Sequence, residues 1–595
     1  MLQSLSASGR RHHLAGAYGH VIYMFVAWLL AAVEIDWLSA QIDGIDCLSR
    51  LEIFASLVWA AIFTFPYLFL PGRYRWLQLI VFFVLVLLNT VNCLYYRNFD
   101  SLVTLRTMVM WQGVNDYSLD AAYASLKWSD AVIWIAFLLQ VMLYVMLRKP
   151  IRVNRFGVRF KVWMCVVVFL GLAKLEMTRY RMFVREWETA VGPDFIDSRP
   201  YFIFTGSIWD YSVKGCFETY IIQLYGLLKN SSSLSSQDIA DLNAILLSEN
   251  RASLPPAGEA DSTLQANRGK NLLMIVVESL NSSALGCGFD GKPFTPCLDS
   301  LRQASDVVCF DNMCSQAMFG QSSDGQFMYN TGIYPLTDEI TLSIERRGPF
   351  PSLCRELDGY HAEEFIGEDK KLWFHDESSV AYGYDRLTDR LGVHDINRCD
   401  DAIMSASLRS LKGLPQPFFV ILTTLTMHGP YGRNTVMPDG WTDSPAAYDY
   451  MSRIHMFDNA LRKFIDGLKQ SGLYDNTVIV IASDHRAPIE SIGDKASPQG
   501  RIMLMILNSG LSGKVDSRIA GQIDVYPTIL DIMGVRNPRW PGMGLSLIRE
   551  VPGFAVIHGT EIVGDTTDTA AIERQKRYWQ LSDRMIKTNT FPSLP

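Results

Sequence analysis

At 595 residues the chain exceeds one ordinary domain of roughly 100–200 residues, which excludes a single compact domain. Hydrophobic residues make up 49% and charged residues 19%, too apolar for a disordered chain and unusual for a wholly soluble one. The formal charge of −7, with no basic stripe interleaved with aromatics outside the apolar stretches' flanks, excludes a nucleic-acid surface.

The first 180 residues hold five apolar stretches, near the roughly 20 residues that cross a bilayer: 18–39, 53–71, 76–96, 130–147 and 158–175. The fifth has a short apolar core, Val162–Ala173, and relies on Lys161 and Lys174 reaching the interfaces. Arg10 and Arg11, then Arg73 and Arg75, then Arg148, Lys149, Arg152, Arg155, Arg159 and Lys161 mark three segments as cytoplasmic. The loop after the first stretch instead carries Glu34, Asp36, Asp43, Asp46 and Glu52 against Arg50. No small-x-small cleavage site follows the first stretch, so it reads as an anchor and not a signal peptide. The expectation is a five-span helical membrane domain over 1–178, with all that follows on the extracytoplasmic side.

Residues 179–270 read as a juxtamembrane connector. It contains an aromatic amphipathic stretch, Tyr201–Leu228, a capped helix over Ser236–Asn250, and a Pro/Gly/Ser-rich linker, Ser253–Lys270.

From Asn271 short apolar runs alternate with helical stretches, which predicts an α/β domain with a largely parallel central sheet over 271–560, then a tail over 561–595. The runs are Leu272–Val277, Phe418–Thr426, Thr477–Ser483 and Ile502–Leu507. In such sheets ligands bind beyond the carboxyl ends of the strands. Glu278 follows the first run, His428 the second, and Asp484 and His485 the third. Two carboxylates and imidazole suit a divalent metal, with Mn²⁺ or Zn²⁺ preferred over Mg²⁺ once histidine is a ligand. Singly, each has a structural reading, Glu278 as a helix cap and Asp484-His485 as ordinary packing. Gly320-Gln321-Ser322-Ser323-Asp324 places paired hydroxyls at a glycine-led turn before a helix, where N–H groups favour an alkoxide and a phosphate; it also reads as a plain N-cap.

Together these segments resemble the lipoteichoic acid synthase type of phosphoglycerol transferase, within the alkaline phosphatase/sulfatase superfamily. The resemblance is carried by Val277-Glu278-Ser279-Leu280, Thr295-Pro296-Cys297-Leu298-Asp299, Gly320 to Asp324 with Phe327, Asn330–Leu336, Met427 to Tyr431 and Ser483-Asp484-His485. Asp458 and Asp524–Gly534 add superfamily-like stretches read as structural. The resemblance implies an alkaline phosphatase/sulfatase-like sandwich on a multi-pass bacterial inner-membrane anchor, with the catalytic domain on the periplasmic side. It further implies one divalent metal, Mn²⁺ first and Zn²⁺ or Mg²⁺ as the other candidates, held by Glu278, Ser322, Asp484 and His485.

In that scheme Ser322, where the family usually has Thr, attacks the phosphorus of a phospholipid head group and diacylglycerol leaves. His428 exchanges the proton, and an acceptor hydroxyl in the cell envelope then attacks the phosphoserine diester. Phosphatidylglycerol is the implied donor, with phosphatidylethanolamine as the alternative. Trp373 matches the family's substrate loop, and His375 stands where a family Arg contacts phosphate; Gln321 replaces a usual Lys. Imidazole offers less than the guanidinium fork, so the head group differs from glycerol phosphate if that contact decides it. Phosphoethanolamine transferase is therefore the alternative function. A sulfatase-type hydrolase lacks its cysteine or serine signature here, and an inactive membrane scaffold is at odds with the intact Glu/Ser/Asp/His set.

Six cysteines fall in the catalytic half: Cys287, Cys297, Cys309, Cys314, Cys354 and Cys399. An oxidising compartment favours disulfides, and Cys309–Cys314 is the first pair expected; small buried hydrophobes are the other reading.

Overall fold

The computed structural model describes residues 76–99, 126–146, 233–246 and most of 264–592, with isolated residues elsewhere. The chain divides into two compact units, one of residues 1–109 and 114–230, the other of 110–113 and 231–595.

In the first unit two helices are described, α1 (Leu77–Phe99) and α2 (Ala131–Met146), over the third and fourth expected spans. They pack through Phe83, whose ring centroid lies 6.0 Å from Trp134 and 5.8 Å from Phe137. Their outer faces are apolar, with Ile80, Leu87, Leu138 and Met142 exposed. Counting only the described residues, no helix is long and apolar enough to cross a membrane. The expected spans at 18–39 and 53–71, and most of 158–175, lie outside those residues.

The second unit is built on a nine-stranded sheet. Its strands are β1 (Asn271–Val277), β2 (Val307–Cys314), β3 (His361–Phe365), β4 (Arg386–Thr388), β5 (Phe418–Thr423), β6 (Thr477–Ser483), β7 (Arg501–Leu507), β8 (Lys514–Asp516) and β9 (Ala520–Gly521). The order is β8-β2-β7-β6-β1-β5-β3-β4, with β9 also on β2. Every pairing is parallel except those of β7, which runs against both β6 and β2. β1, β5, β6 and β7 are buried along their whole length, which is why they read as unbroken apolar runs.

Alternate residues of β1 enter two cores. Leu272, Met274 and Val276 face a cluster shared with α5 (Ser322–Thr331), α9 (Val525–Ile532) and α10 (Thr569–Thr588). Leu273, Ile275 and Val277 face a second cluster with α4 (Pro296–Arg302), α7 (Asp400–Leu411) and α8 (Pro445–Gln470). The result is a three-layer sandwich around a mostly parallel sheet.

Residues outside 271–560 also join this unit. Helix α3 (Ser236–Leu246) starts with a reciprocal cap, Ser235 N to Asp238 Oδ2 at 2.9 Å and Asp238 N to Ser235 Oγ at 3.1 Å. Arg584 of α10 donates to Asp238 at 2.9 Å through Nε. Trp579 of α10 stacks on Tyr334 at 4.4 Å, so the last helix is part of the first core. Asp458 on α8 accepts Cys297 N and Leu298 N at 2.9 Å, capping α4, and Asp524 accepts Leu545 N at 2.7 Å and Gly521 N at 2.9 Å.

The expected Cys309–Cys314 disulfide is corrected. Both residues lie on β2, and five steps of about 3.3 Å put their backbones far beyond the roughly 7 Å a disulfide spans. Cys297, Cys309, Cys314 and Cys354 are free thiols, and burial pushes the Cys309 thiol up to about 12 and Cys314 up to about 11.

Candidate metal and nucleophile site

Strand register assembles the site. Val277 pairs with Ser483, so the residues that follow, Glu278 and Asp484, emerge side by side at the carboxyl edge. Asp484 N continues the ladder to Val277 O at 3.0 Å, and Glu278 N donates to Thr424 Oγ1 at 3.1 Å, tying in the end of β5.

The hydroxyl of Ser322, the first residue of α5, donates to Glu278 Oε2 at 2.9 Å and lies 3.2 Å from His485 Nε2. His485 Nδ1 lies 2.8 Å from the Arg486 carbonyl, which can only accept, so Nδ1 carries the proton and Nε2 is left to face the cluster. Its Nε2 is 3.3 Å from Glu278 Oε1 and 3.8 Å from Asp484 Oδ1. Thus Glu278, Asp484, His485 and Ser322 are brought together, as the sequence motifs implied.

Two glycines permit this approach. A Cβ on Gly325 would stand 2.2 Å from the Asp484 carbonyl oxygen, and one on Gly320 would stand 2.4 Å from Asp324 Oδ1. Gln321, between Gly320 and Ser322, is held at a positive φ of 45° with ψ −111°, a backbone conformation uncommon away from glycine. Ser323 turns away, donating to the Gly320 carbonyl at 2.9 Å.

The electrostatics fit a cation. Burial raises the Asp484 carboxyl, and the Glu278 charge beside it adds to this, to about 8. Burial acts the same way on Glu278, but the hydrogen bond and charge of His485 outweigh it and hold that carboxyl below its ordinary range. Burial would lower His485, yet Asp484 and Glu278 carry it up to about 9. One imidazolium thus serves two buried carboxylates, and ligand atoms of Glu278, Asp484 and His485 all lie within 4.8 Å of one another. This hard and borderline donor set, short of positive charge, suits a divalent ion.

His428 is half-buried at the same edge, and its charge acts on Glu278. Its Nδ1 lies 2.7 Å from the Gly429 carbonyl, which can only accept, so that nitrogen carries a proton. Two buried charges shape its loop. Asp400 Oδ1 accepts Leu425 N at 2.8 Å and Thr426 N at 3.1 Å. Arg453, fully buried with Asp449 at 2.8 Å, donates to the His428 carbonyl at 2.5 Å.

Trp373 and His375 follow β3 at the same sheet edge. Trp373 and Phe374 are successive left-handed residues, φ 54° and 61°. His375 departs from its expected role. Its Nδ1 lies 2.8 Å from Glu364 and its Nε2 3.2 Å from Glu368, so neither ring nitrogen is open to a phosphate. Burial opposes the charge, but Glu364 and Glu368 outweigh it and carry the imidazole up to about 10.

Sequence reasoning passed over Asp400, Asp449, Arg453 and Gln522. Gln522 accepts from Gln316 N at 2.6 Å and Ala317 N at 3.0 Å while donating to the Asp484 carbonyl at 2.5 Å, so it joins the loop that leads to Ser322 to the edge that carries Asp484. Only the i, i+4 charges Asp449 and Arg453 left a trace in the sequence, and that pattern ordinarily marks a solvated helix face.

The chain is similar to known proteins over most of its length. The family described as Sulfatase matches residues 270–535, and that described as Lipoteichoic acid synthase N-terminal domain matches 18–191. Lipoteichoic acid synthase 2 of Bacillus subtilis (strain 168) is 26% identical over 578 residues, covering 89% of this chain and 85% of its own length. Lipoteichoic acid synthase of Staphylococcus aureus (strain USA300) is 26% identical over 515 residues, covering 81% of this chain and 76% of its own. Among solved structures, the integral membrane protein lipooligosaccharide phosphoethanolamine transferase A of Neisseria meningitidis is similar with a TM-score of 0.50 at 12% identity, covering 87% of this chain and 95% of that one. At that identity the likeness is one of fold.

Proposed function

Because this chain belongs to the alkaline phosphatase/sulfatase superfamily, in its lipoteichoic acid synthase-type branch, we propose that it is a membrane-anchored, metal-dependent transferase of phospholipid head groups, with phosphoglycerol as the group moved. The observation that carries this reading is Ser322 Oγ, at a helix N-terminus and within hydrogen-bond reach of both Glu278 and His485. Glu278, Asp484 and His485, with Ser322, would hold one divalent cation, Mn²⁺ first. Such an ion supplies positive charge toward phosphoryl oxygens when bound.

The chain's own groups perform the rest. Ser322 Oγ attacks phosphorus as its proton passes to the acidic cluster, and the positive end of the α5 dipole favours the negative charge that collects on the phosphoryl oxygens. As the bond from phosphorus to the diacylglycerol oxygen breaks, His428 Nε2 gives that oxygen a proton. A hydroxyl of a glycan, polymer or lipid acceptor in the envelope then returns the proton to His428 and attacks phosphorus, releasing Ser322. The donor is phosphatidylglycerol, and the catalytic unit stands on the extracytoplasmic side of the bacterial inner membrane, anchored by a multi-pass N-terminal domain. Reporter fusions at residue 16 and after residue 179 test that placement; a cytoplasmic signal from the second would reject it.

A second reading, phosphoethanolamine transfer, is favoured by one observation: His375 is offset by two carboxylates, Glu364 and Glu368, a net negative surrounding that suits an ammonium group. Mass spectrometry of the Ser322 peptide decides between them, after the full chain is incubated with vesicles of phosphatidylglycerol or of phosphatidylethanolamine. A phosphoglycerol adduct is expected, a phosphoethanolamine adduct selects the second reading, and an adduct on any other residue rejects the nucleophile.

A further inference from the structure

Ser279 touches three of the four side chains that would hold the metal, those of Asp484, Glu278 and His485. Its backbone N–H donates to Asp484 Oδ1 at 2.8 Å, and its hydroxyl donates to Glu278 Oε1 at 2.7 Å and lies 3.5 Å from His485 Nε2. It is buried, and its φ of 52° puts a non-glycine residue in the left-handed region. That conformation is held from outside. Tyr450 Oη donates to the Ser279 carbonyl at 2.6 Å and accepts from Asn281 N at 2.9 Å.

We propose that Ser279 is a positioning residue for the metal centre, assigning which oxygen of each carboxylate faces the ion. This rests on the metal reading above. Asp484 Oδ1 is already engaged by two N–H donors, Ser279 N and His485 N at 2.6 Å, which leaves Oδ2 as the binding oxygen. Glu278 Oε1 is engaged by the Ser279 hydroxyl, which leaves Oε2, the oxygen that also receives Ser322. Nucleophile and ion are thereby directed to the same carboxylate oxygen. Glycine would adopt the backbone conformation without strain but has no hydroxyl, and a β-branched residue carries too much bulk for it. The strained serine is therefore kept for the bond to Glu278, since hydrogen-bond partners of ligating carboxylates fix the ligands' orientation.

The test uses the full-length chain in detergent, stripped with chelator and titrated with Mn²⁺ by calorimetry, as wild type, Ser279→Ala and Ser279→Gly. Both variants keep the backbone N–H to Asp484 and lose the hydroxyl, Ser279→Gly together with the Cβ. Mn²⁺ affinity is expected to fall about 10- to 100-fold in both. Thermal stability of the chelated protein should stay unchanged in Ser279→Ala and rise in Ser279→Gly, because the left-handed strain is relieved. Wild-type affinity in both variants would overturn the proposal, as would a loss of chelated stability with no loss of affinity. A wild-type protein that binds no Mn²⁺ would reject the metal reading itself, and the proposal with it.

Discussion

Ser322 Oγ donates a 2.9 Å hydrogen bond to Glu278 Oε2 across 44 residues of sequence. The bond joins the first residue of α5 to the residue just past β1, so a helix flanking the sheet and the sheet's own carboxyl edge meet at one point. Ser322→Ala should lower turnover by at least about three orders of magnitude while leaving the melting temperature nearly unchanged, because it removes one oxygen. Ser323→Ala should retain most activity, since that hydroxyl is turned to the Gly320 carbonyl. Head-group release from labelled phospholipid measures both, and an inactive Ser323→Ala with an active Ser322→Ala would reverse the assignment.

Asp484→Asn should remove most of the bound divalent metal and most activity, because a neutral amide leaves the site one negative charge short. Elemental analysis of the purified protein reads the metal directly. Full occupancy in the variant would contradict Asp484 as a ligand.

Much of this site was legible in the sequence because strand ends follow apolar runs. Glu278, Asp484 and His485 each come just after a run that became β1 or β6, and the Ser322 turn announced itself through Gly320 and Asp324. β3 was not legible. Its sequence, HAEEF, has acids at its centre, and these are buried only because Glu363 meets His361 at 2.8 Å and Glu364 meets His375 at 2.8 Å. His361 lies two residues before Glu363 on the same strand, but His375 reaches Glu364 from beyond it, and no local pattern encodes that contact. The same holds for the reversed direction of β7 and for the free thiols of β2, where adjacency in sequence suggested a bridge that an extended strand forbids.

The fully buried Asp449–Arg453 pair predicts a non-additive response. Arg453→Leu should cost about 3–5 kcal/mol, because it strands the Asp449 carboxylate and frees the His428 carbonyl. The double variant Asp449→Leu/Arg453→Leu should recover part of that stability but not the activity. Denaturant unfolding of the single and double variants checks the sign, and additive losses would contradict it.

His375 gives a pH dependence with a definite sign. Its imidazole is raised from an ordinary 6.5 to about 10 in the folded protein, so the folded state binds the proton more tightly. The resulting stability is complete below about pH 6.5 and declines as pH rises toward 10. His375→Gln should flatten the fall in melting temperature between pH 7 and 10; an identical slope in variant and wild type would show that the residue is not charged there.

Gly325→Ala should destabilise by about 1–3 kcal/mol and weaken metal binding together, because the new methyl group displaces the Asp484 backbone. Calorimetric melting with and without Mn²⁺ separates the two effects. A variant with wild-type stability would mean that α5 does not press on β6 as closely as the structure shows.

Among the described residues β2, the strand that leads to Ser322, pairs with β7, β8 and β9, all of them beyond residue 500. A chain made from its N-terminus therefore exposes its serine long before the sheet can receive it. The neighbouring strands β1, β5 and β6 can pair first and bring Glu278 and Asp484 together. Order at Ser322 is the last to form: a ribosome must pass residue 507, the end of β7, before the strand that leads to the serine has that neighbour to pair with, and any truncation before β7 leaves Glu278 and Asp484 with no serine fixed beside them.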